Sequence, residues 1–196
     1  CSMVEYDKNA SGLSSSSGSS WELISVFDDD PETNVVCKGY AKAFKYLCDK
    51  TSFNDPEISC SLITGSLSGS SIGHMWNIVH MGDGKNYIVD VTNCDENNPG
   101  FPDLLVLKGA LNNGNNKYTA EIPARRINNT VFAAETLDYV YDEDTLELFS
   151  SDELTISESD HPGSGTDADY ILIIDEKVTD KTSTDITSGE KWKLVP

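Results

Sequence analysis

Val35-Val36-Cys37-Lys38-Gly39-Tyr40-Ala41-Lys42-Ala43-Phe44-Lys45-Tyr46-Leu47 is the stretch around which the rest of the chain is organised. From Tyr40 on, apolar residues recur at Tyr40, Ala41, Phe44, Leu47 and Cys48, the i, i+3, i+4, i+7 spacing of an amphipathic helix. The turn formers from Asp28 to Pro31, with Thr33 and Asn34, supply N-cap side chains just upstream, so Cys37 falls at or within the first helical turn. Free N–H groups and the positive end of the helix dipole gather there and favour an anion, so a thiol in that place ionises more readily. Gly39 costs helix stability and leaves open surface beside the sulfur, which points to a need for access or close packing. Cys37 is then either a nucleophile or one more small buried hydrophobe.

Downstream, residues 73–80 (Gly73-His74-Met75-Trp76-Asn77-Ile78-Val79-His80) and 86–92 (Asn86-Tyr87-Ile88-Val89-Asp90-Val91-Thr92) are rich in strand formers. Met81-Gly82-Asp83-Gly84-Lys85 between them is a hairpin turn. Register decides whether His74 and Asp90 can cooperate. A two-residue loop, Asp83-Gly84, sets Asp90 across from Asn77 and throws His74 and Asp90 onto opposite faces. A three-residue loop, Gly82-Asp83-Gly84, sets His74 across from Thr92 with Asp90 as its diagonal neighbour on the same face. That loop requires glycine in the left-handed third position, where Gly84 stands, so the second register is expected.

Elsewhere the signals are coarser. Residues 1–7, including Tyr6-Asp7, read as the end of a helix cut from a longer protein, and 8–20 as a flexible Ser/Gly-rich loop. Residues 21–27 are predicted as one or two helical turns, 58–64 as a strand and 65–73 as a second Ser/Gly loop. Further strands are expected at 104–107, 137–142 and 146–149, with a short one at 154–156, and a loop at 112–116. Residues 161–166 read as a linker to strands at 170–174 and 192–195. The predicted division is one domain over 1–160 and a β-strand extension over 161–196.

The 196 residues suffice for one sizeable core, and the net charge of -19 gives a surface that repels nucleic acid and anionic membranes. A cationic or neutral partner fits better. No run approaches a membrane span and no signal peptide is read, so membrane insertion is not expected. No Lys or Arg occurs between Arg126 and Lys177, a stretch read as a solvated acidic face. The five cysteines (Cys1, Cys37, Cys48, Cys60, Cys94) form no CxxC and no zinc spacing, so neither a metal nor another cofactor is expected. Cys48 and Cys60 either close a short disulfide loop or stay as two unpaired thiols.

Cys37, His74 and Asp90 together are a thiol at a helix start, a base and an orienting carboxylate on adjacent strands, the parts that acyl transfer through a thioester needs. At these residues the chain resembles the transglutaminase-like superfamily, of the kind found in bacterial secreted and cell-surface proteins. The resemblance rests on Cys37-Lys38-Gly39-Tyr40-Ala41 with Phe44 and Leu47, on Gly73-His74-Met75-Trp76-Asn77 with Val79, and on Tyr87 with Val89-Asp90-Val91-Thr92. It covers about residues 21–110 and extends, less closely, to Tyr141-Asp142 and 154–157. It implies an α+β papain/transglutaminase-like core, a nucleophile helix packed on an antiparallel sheet, with the β-rich extension behind it. It further implies Cys37 as nucleophile, His74 as base, Asp90 as orienting acid, and an extracellular or cell-surface setting.

The family usually places an aromatic or amide side chain upstream of the cysteine to hold the oxyanion. Here Trp21, Tyr6 and Phe27 are the aromatic candidates, and the backbone N–H of Cys37 is a further donor. Gly39, Trp76 and Asn77 complete the cleft candidates, Trp76 being either packing or substrate contact and Asn77 a buttress of the His74 strand. The implied function is Cys-dependent acyl transfer or hydrolysis on a protein or peptide amide. Its alternatives are a cysteine peptidase or amidase with water as acceptor, and a non-catalytic surface-binding module on the same scaffold.

Overall fold

A computed structural model describes residues 4, 6–7, 21–27, 35–95, 104–127, 130–150, 152–158, 171–174 and 192–195. Helices α1 (Trp21–Ile24) and α2 (Cys37–Lys50) lead into strands β1 (Ser59–Leu67), β2 (Gly73–His80) and β3 (Asn86–Val89) and a single helical turn α3 (Val91–Cys94). Strands β4 (Leu111–Asn112), β5 (Lys117–Ile122), β6 (Arg125–Ile127), β7 (Thr130–Phe132) and β8 (Glu135–Tyr141) follow, then helix α4 (Glu143–Glu147) and strands β9 (Ile171–Ile174) and β10 (Trp192–Val195). Six strands build one antiparallel sheet in the order β3-β2-β1-β8-β5-β4, while β6–β7 and β9–β10 form two-stranded sheets. The class is α+β.

Alternation along the central strands sorts the core onto two faces. Cys60, Val79, Tyr87 and Val89 are buried together on one face, where Phe44 and Cys48 of α2 pack against them. Ile63, Trp76, Ile78, Ile88, Tyr139 and Tyr141 are buried on the other. Asn77, on the α2 face, is fully buried and ties the layers together: its Nδ2 donates to Ala41 O (3.1 Å) and Ser61 O (3.4 Å).

The hairpin adopts the three-residue loop. Asn77 pairs with Val89 and Ile78 with Ile88, Met81 N donates to Lys85 O, Gly84 N donates to Met81 O, and Gly84 sits at φ +77°. The strand is shorter than its sequence signal, however. β3 stops at Val89, because Asp90 caps a helical turn through its Oδ1, which accepts from Asn93 N at 3.2 Å. Thr92 therefore lies in α3 and not across from His74.

Helix α2 begins at Cys37, but not through a capping side chain. Its N-cap is Val36, extended at φ −123° and ψ 176° with no side-chain cap bond, and the predicted caps at 28–34 lie outside the described residues. The chain is instead held straight up to the helix by a bridge between Val35 and Tyr6, in which Asp7 N donates to Val35 O at 2.9 Å. That bridge also corrects the expectation of a helix end at Tyr6-Asp7, since Tyr6 is extended; residues 1–3 and 5 lie outside the described residues. Tyr40 and Ala41 are buried as predicted, but Leu47 is 49% exposed. Gly39 and Ala43 are buried with them, so the buried stripe is rotated away from Leu47.

Other expectations fail for local reasons. Gly65 belongs to β1, not to a loop: a Cβ there would collide with Val140 O and press on Trp76 Cη2 at 2.8 Å, so only glycine lets β8 approach. Residues 104–107 form a turn, with Leu105 and Leu107 buried and Leu107 at φ +53°, a value that breaks an extended run. Residues 146–149 are not a strand. Asp142 begins a helix whose first turn carries Glu143 and Asp144, which complement the helix dipole. Of 154–156 only Ile156 bridges, to Asn86. β9 and β10 fall where strands were expected, and pair. The predicted loop at 8–20 and linker at 161–166 lie outside the described residues, and β4, β5, β6 and β7 had no counterpart in the sequence reading.

Candidate active site

His74 is the second residue of β2, and Asp90 follows the last residue of β3. The β2–β3 pairing ends at Asn77–Val89, so both side chains stand where the hairpin opens, on the face that also carries Trp76. His74 Nε2 contacts Asp90 Oδ2 at 2.8 Å. The Cys37 side chain is close enough to act on His74 as well, and helps to raise its imidazole. With Nε2 turned to the carboxylate, Nδ1 is the nitrogen left for the thiol. Imidazole thus stands between a half-buried sulfur and a fully buried carboxylate.

Asp90 is held by more than histidine. Its Oδ2 also accepts from Tyr139 Oη (2.8 Å) and Asn93 Nδ2 (2.6 Å), while Oδ1 takes the Asn93 amide. Burial of Asp90 favours the neutral acid, but the His74 charge and the hydrogen bonds from His74, Asn93 and Tyr139 outweigh it and hold the carboxyl below its ordinary range. Burial likewise disfavours a charged His74. The Asp90 charge and hydrogen bond, joined by the Cys37 hydrogen bond and charge, reverse that and raise the imidazole from 6.5 to about 10. The arrangement favours an imidazolium with the buried carboxylate on one side and the Cys37 side chain on the other. It can hold a thiolate, deliver a proton to a leaving group and take one back.

Tyr139 and Asn93 escaped the sequence reading. Asn93 had a local signal, because an Asp three residues before an Asn at a strand end is an N-cap pattern. Tyr139 had none, since it lies 49 residues from Asp90 and reaches it only through the strand order.

The remaining candidates divide. Trp76 is 1% exposed, stacked on His74 at 5.7 Å and flanked by Tyr139 and Tyr141 at 5.0 Å each; it is packing behind the imidazole and does not reach a cleft. Asn77 is the buttress between α2 and the sheet and likewise faces no cleft. Gly39 is buried in the first turn of α2, its N–H donating to Val36 O at 2.8 Å. Trp21 opens α1, and its side chain lies outside the described residues. Phe27 is 44% exposed and meets Tyr46 at 6.2 Å. Tyr6 does reach the site. It stacks on Tyr40 at 6.3 Å and, with Leu67, Ile72, Thr92 and Asn93, lines a cleft of about 140 Å³ that opens on His74.

Among the described residues, no group of three or more His, Cys, Asp or Glu side chains is placed to hold a metal ion, and no helix is long and apolar enough to cross a membrane. No family model, curated protein or solved structure matches the chain.

Proposed function

We propose that the chain is a cysteine acyltransferase or hydrolase of the transglutaminase-like kind, with a papain-like core, acting on a protein or peptide amide outside the cell. The observation that carries this is the His74 imidazole, bonded through Nε2 to buried Asp90, with Cys37 at the start of α2 close enough to act on it. The Cys37 thiolate attacks the amide carbonyl carbon. The carbonyl electrons move to oxygen, where the first-turn N–H of Cys37, which has no acceptor within its own helix, is placed to meet the oxyanion. Collapse of that intermediate breaks the C–N bond, and His74 gives its proton to the departing ammonia or amine, leaving a thioester. An incoming amine or water then loses its proton to His74 as it attacks the thioester; the C–S bond breaks, the acyl group leaves on the new nucleophile, and the Cys37 thiolate and His74 imidazolium are restored. Throughout, Asp90 keeps Nε2 protonated and the ring aimed. The acidic surface favours a cationic amine donor over an anionic one.

Mass spectrometry of a glutamine-containing protein incubated with a labelled amine tests the reading. Amine incorporation indicates transfer, and deamidation or chain cleavage indicates water as acceptor. Cys37→Ser and His74→Ala should fall to background, and Asp90→Asn by roughly 10²–10⁴. A wild-type chain that gives no product on any amide library, while still capturing a protein partner, leaves the binding module in its place.

A further inference from the structure

Far from the Cys37 site, the last turns of α2 bring a second thiol against the sheet. Cys48 is half-buried and packs into the cluster that holds Cys60 of β1, itself 6% exposed. A second contact fixes the approach: Lys45, one turn before Cys48, donates from Nζ to the Cys60 carbonyl at 2.9 Å. Both are free thiols, and each is close enough to shift the other's ionisation. Cys48 lies eleven residues into α2 from Cys37, about 16 Å along the axis, so this pair is separate from the candidate active site.

We propose that Cys48 and Cys60 are a thiol–disulfide exchange site, which closes an intramolecular disulfide on meeting a small-molecule disulfide and thereby pins the C-terminal end of α2 to β1. The exchange is ordered by access. The Cys48 thiolate attacks one sulfur of the reagent, making a mixed disulfide and expelling one small thiolate, which takes up the proton Cys48 has lost. Cys60 then gives up its proton and attacks Cys48 Sγ, expelling the second half of the reagent as a thiol. Two electrons and two protons pass from the protein to the reagent, and one S–S bond is exchanged for another. The Cys60 hydrogen bond lowers Cys48, with Lys45 adding to it against burial and Asp49, whereas the same bond and burial push Cys60 up. The more exposed thiol is therefore also the better first nucleophile, and the buried one resolves.

This inference does not depend on whether Cys37 turns over any substrate. The folded full chain is equilibrated with oxidised glutathione over a range of oxidised-to-reduced ratios, acid-quenched, alkylated and digested with trypsin. Cleavage after Lys45, Lys50 and Lys85 puts Cys48 in peptide 46–50 and Cys60 in peptide 51–85, each with no other cysteine. The expected product is the 46–50/51–85 pair, linked before buried Cys94 takes up any glutathione, with a melting temperature raised by about 5–10 °C. Cys60→Ser should stop the exchange at a stable glutathione adduct on Cys48, and a Cys37→Ala background should leave the linkage unchanged. Recovery of Cys48 from the native chain as a free thiol or a persistent glutathione adduct, with Cys60 still reduced, overturns the proposal.

Discussion

The phenolic hydroxyl of Tyr139 donates to Oδ2 of Asp90 at 2.8 Å, the same oxygen that His74 Nε2 contacts at 2.8 Å. Tyr139 comes from β8, two places from β2 in the sheet, and is fully buried. The carboxylate is thus held by β8 as well as by its own hairpin and α3, so its position does not depend on the hairpin alone.

Tyr139→Phe keeps the ring against Trp76 and removes only the donor. A hydrogen bond to a charged group contributes about 1.5–3 kcal/mol. With Asp90 less well held as an anion, the imidazolium loses part of its support. We expect the alkaline limb of the kcat/KM profile, set by loss of the His74 proton, to move down by about one unit. An unchanged limb with reduced stability would make Tyr139 a structural residue only.

His74 also links stability to pH. Its folded-state value is raised from 6.5 to about 10, so the stabilisation is fully present below about 6.5 and is lost as pH rises toward 10. Asp90, lowered in the folded state, contributes above its ordinary value of 3.8 and loses that contribution as pH falls below it. The pair is most stabilising from about pH 4 to 6.5. Melting temperatures measured from pH 6 to 10 should fall more steeply for wild type than for His74→Ala, and equal slopes would contradict the assignment.

Gly65→Ala tests the close approach of β8 to β1. The new methyl group would displace Val140 or Trp76, and overpacking of this kind costs about 1–3 kcal/mol. Because Trp76 stacks on His74, activity should drop further than the melting temperature alone explains, as read from kcat measured well below the transition.

Asn77→Ala removes both bonds from Nδ2 and should lower stability by about 1–3 kcal/mol, or several degrees in melting temperature. Asn77→Asp should be worse, since a carboxylate would face two carbonyl oxygens it cannot bond. A variant order with Asp above Ala in thermal melts would show that the amide does not tie α2 to β1 as described.

The sequence by itself determined the helix at Cys37, the hairpin and its register, because these rest on chemistry local in the chain: 3.6-residue periodicity, twofold alternation, and a glycine where the loop needs a positive φ. From that parity alone His74 and Asp90 could be placed on one face. Tertiary structure decided the rest. Helix α2 starts where it does because Val35 is bridged to Tyr6, and no nearby residue announces that. Trp76, read as either packing or substrate contact, is core behind the imidazole, and Asn77, read as a buttress of the His74 strand, is the tie to α2; they part because strand neighbours point to opposite faces. Tyr139 joins Asp90 only because β8 pairs with β1, a contact between strands far apart in the chain that leaves no periodic trace in either.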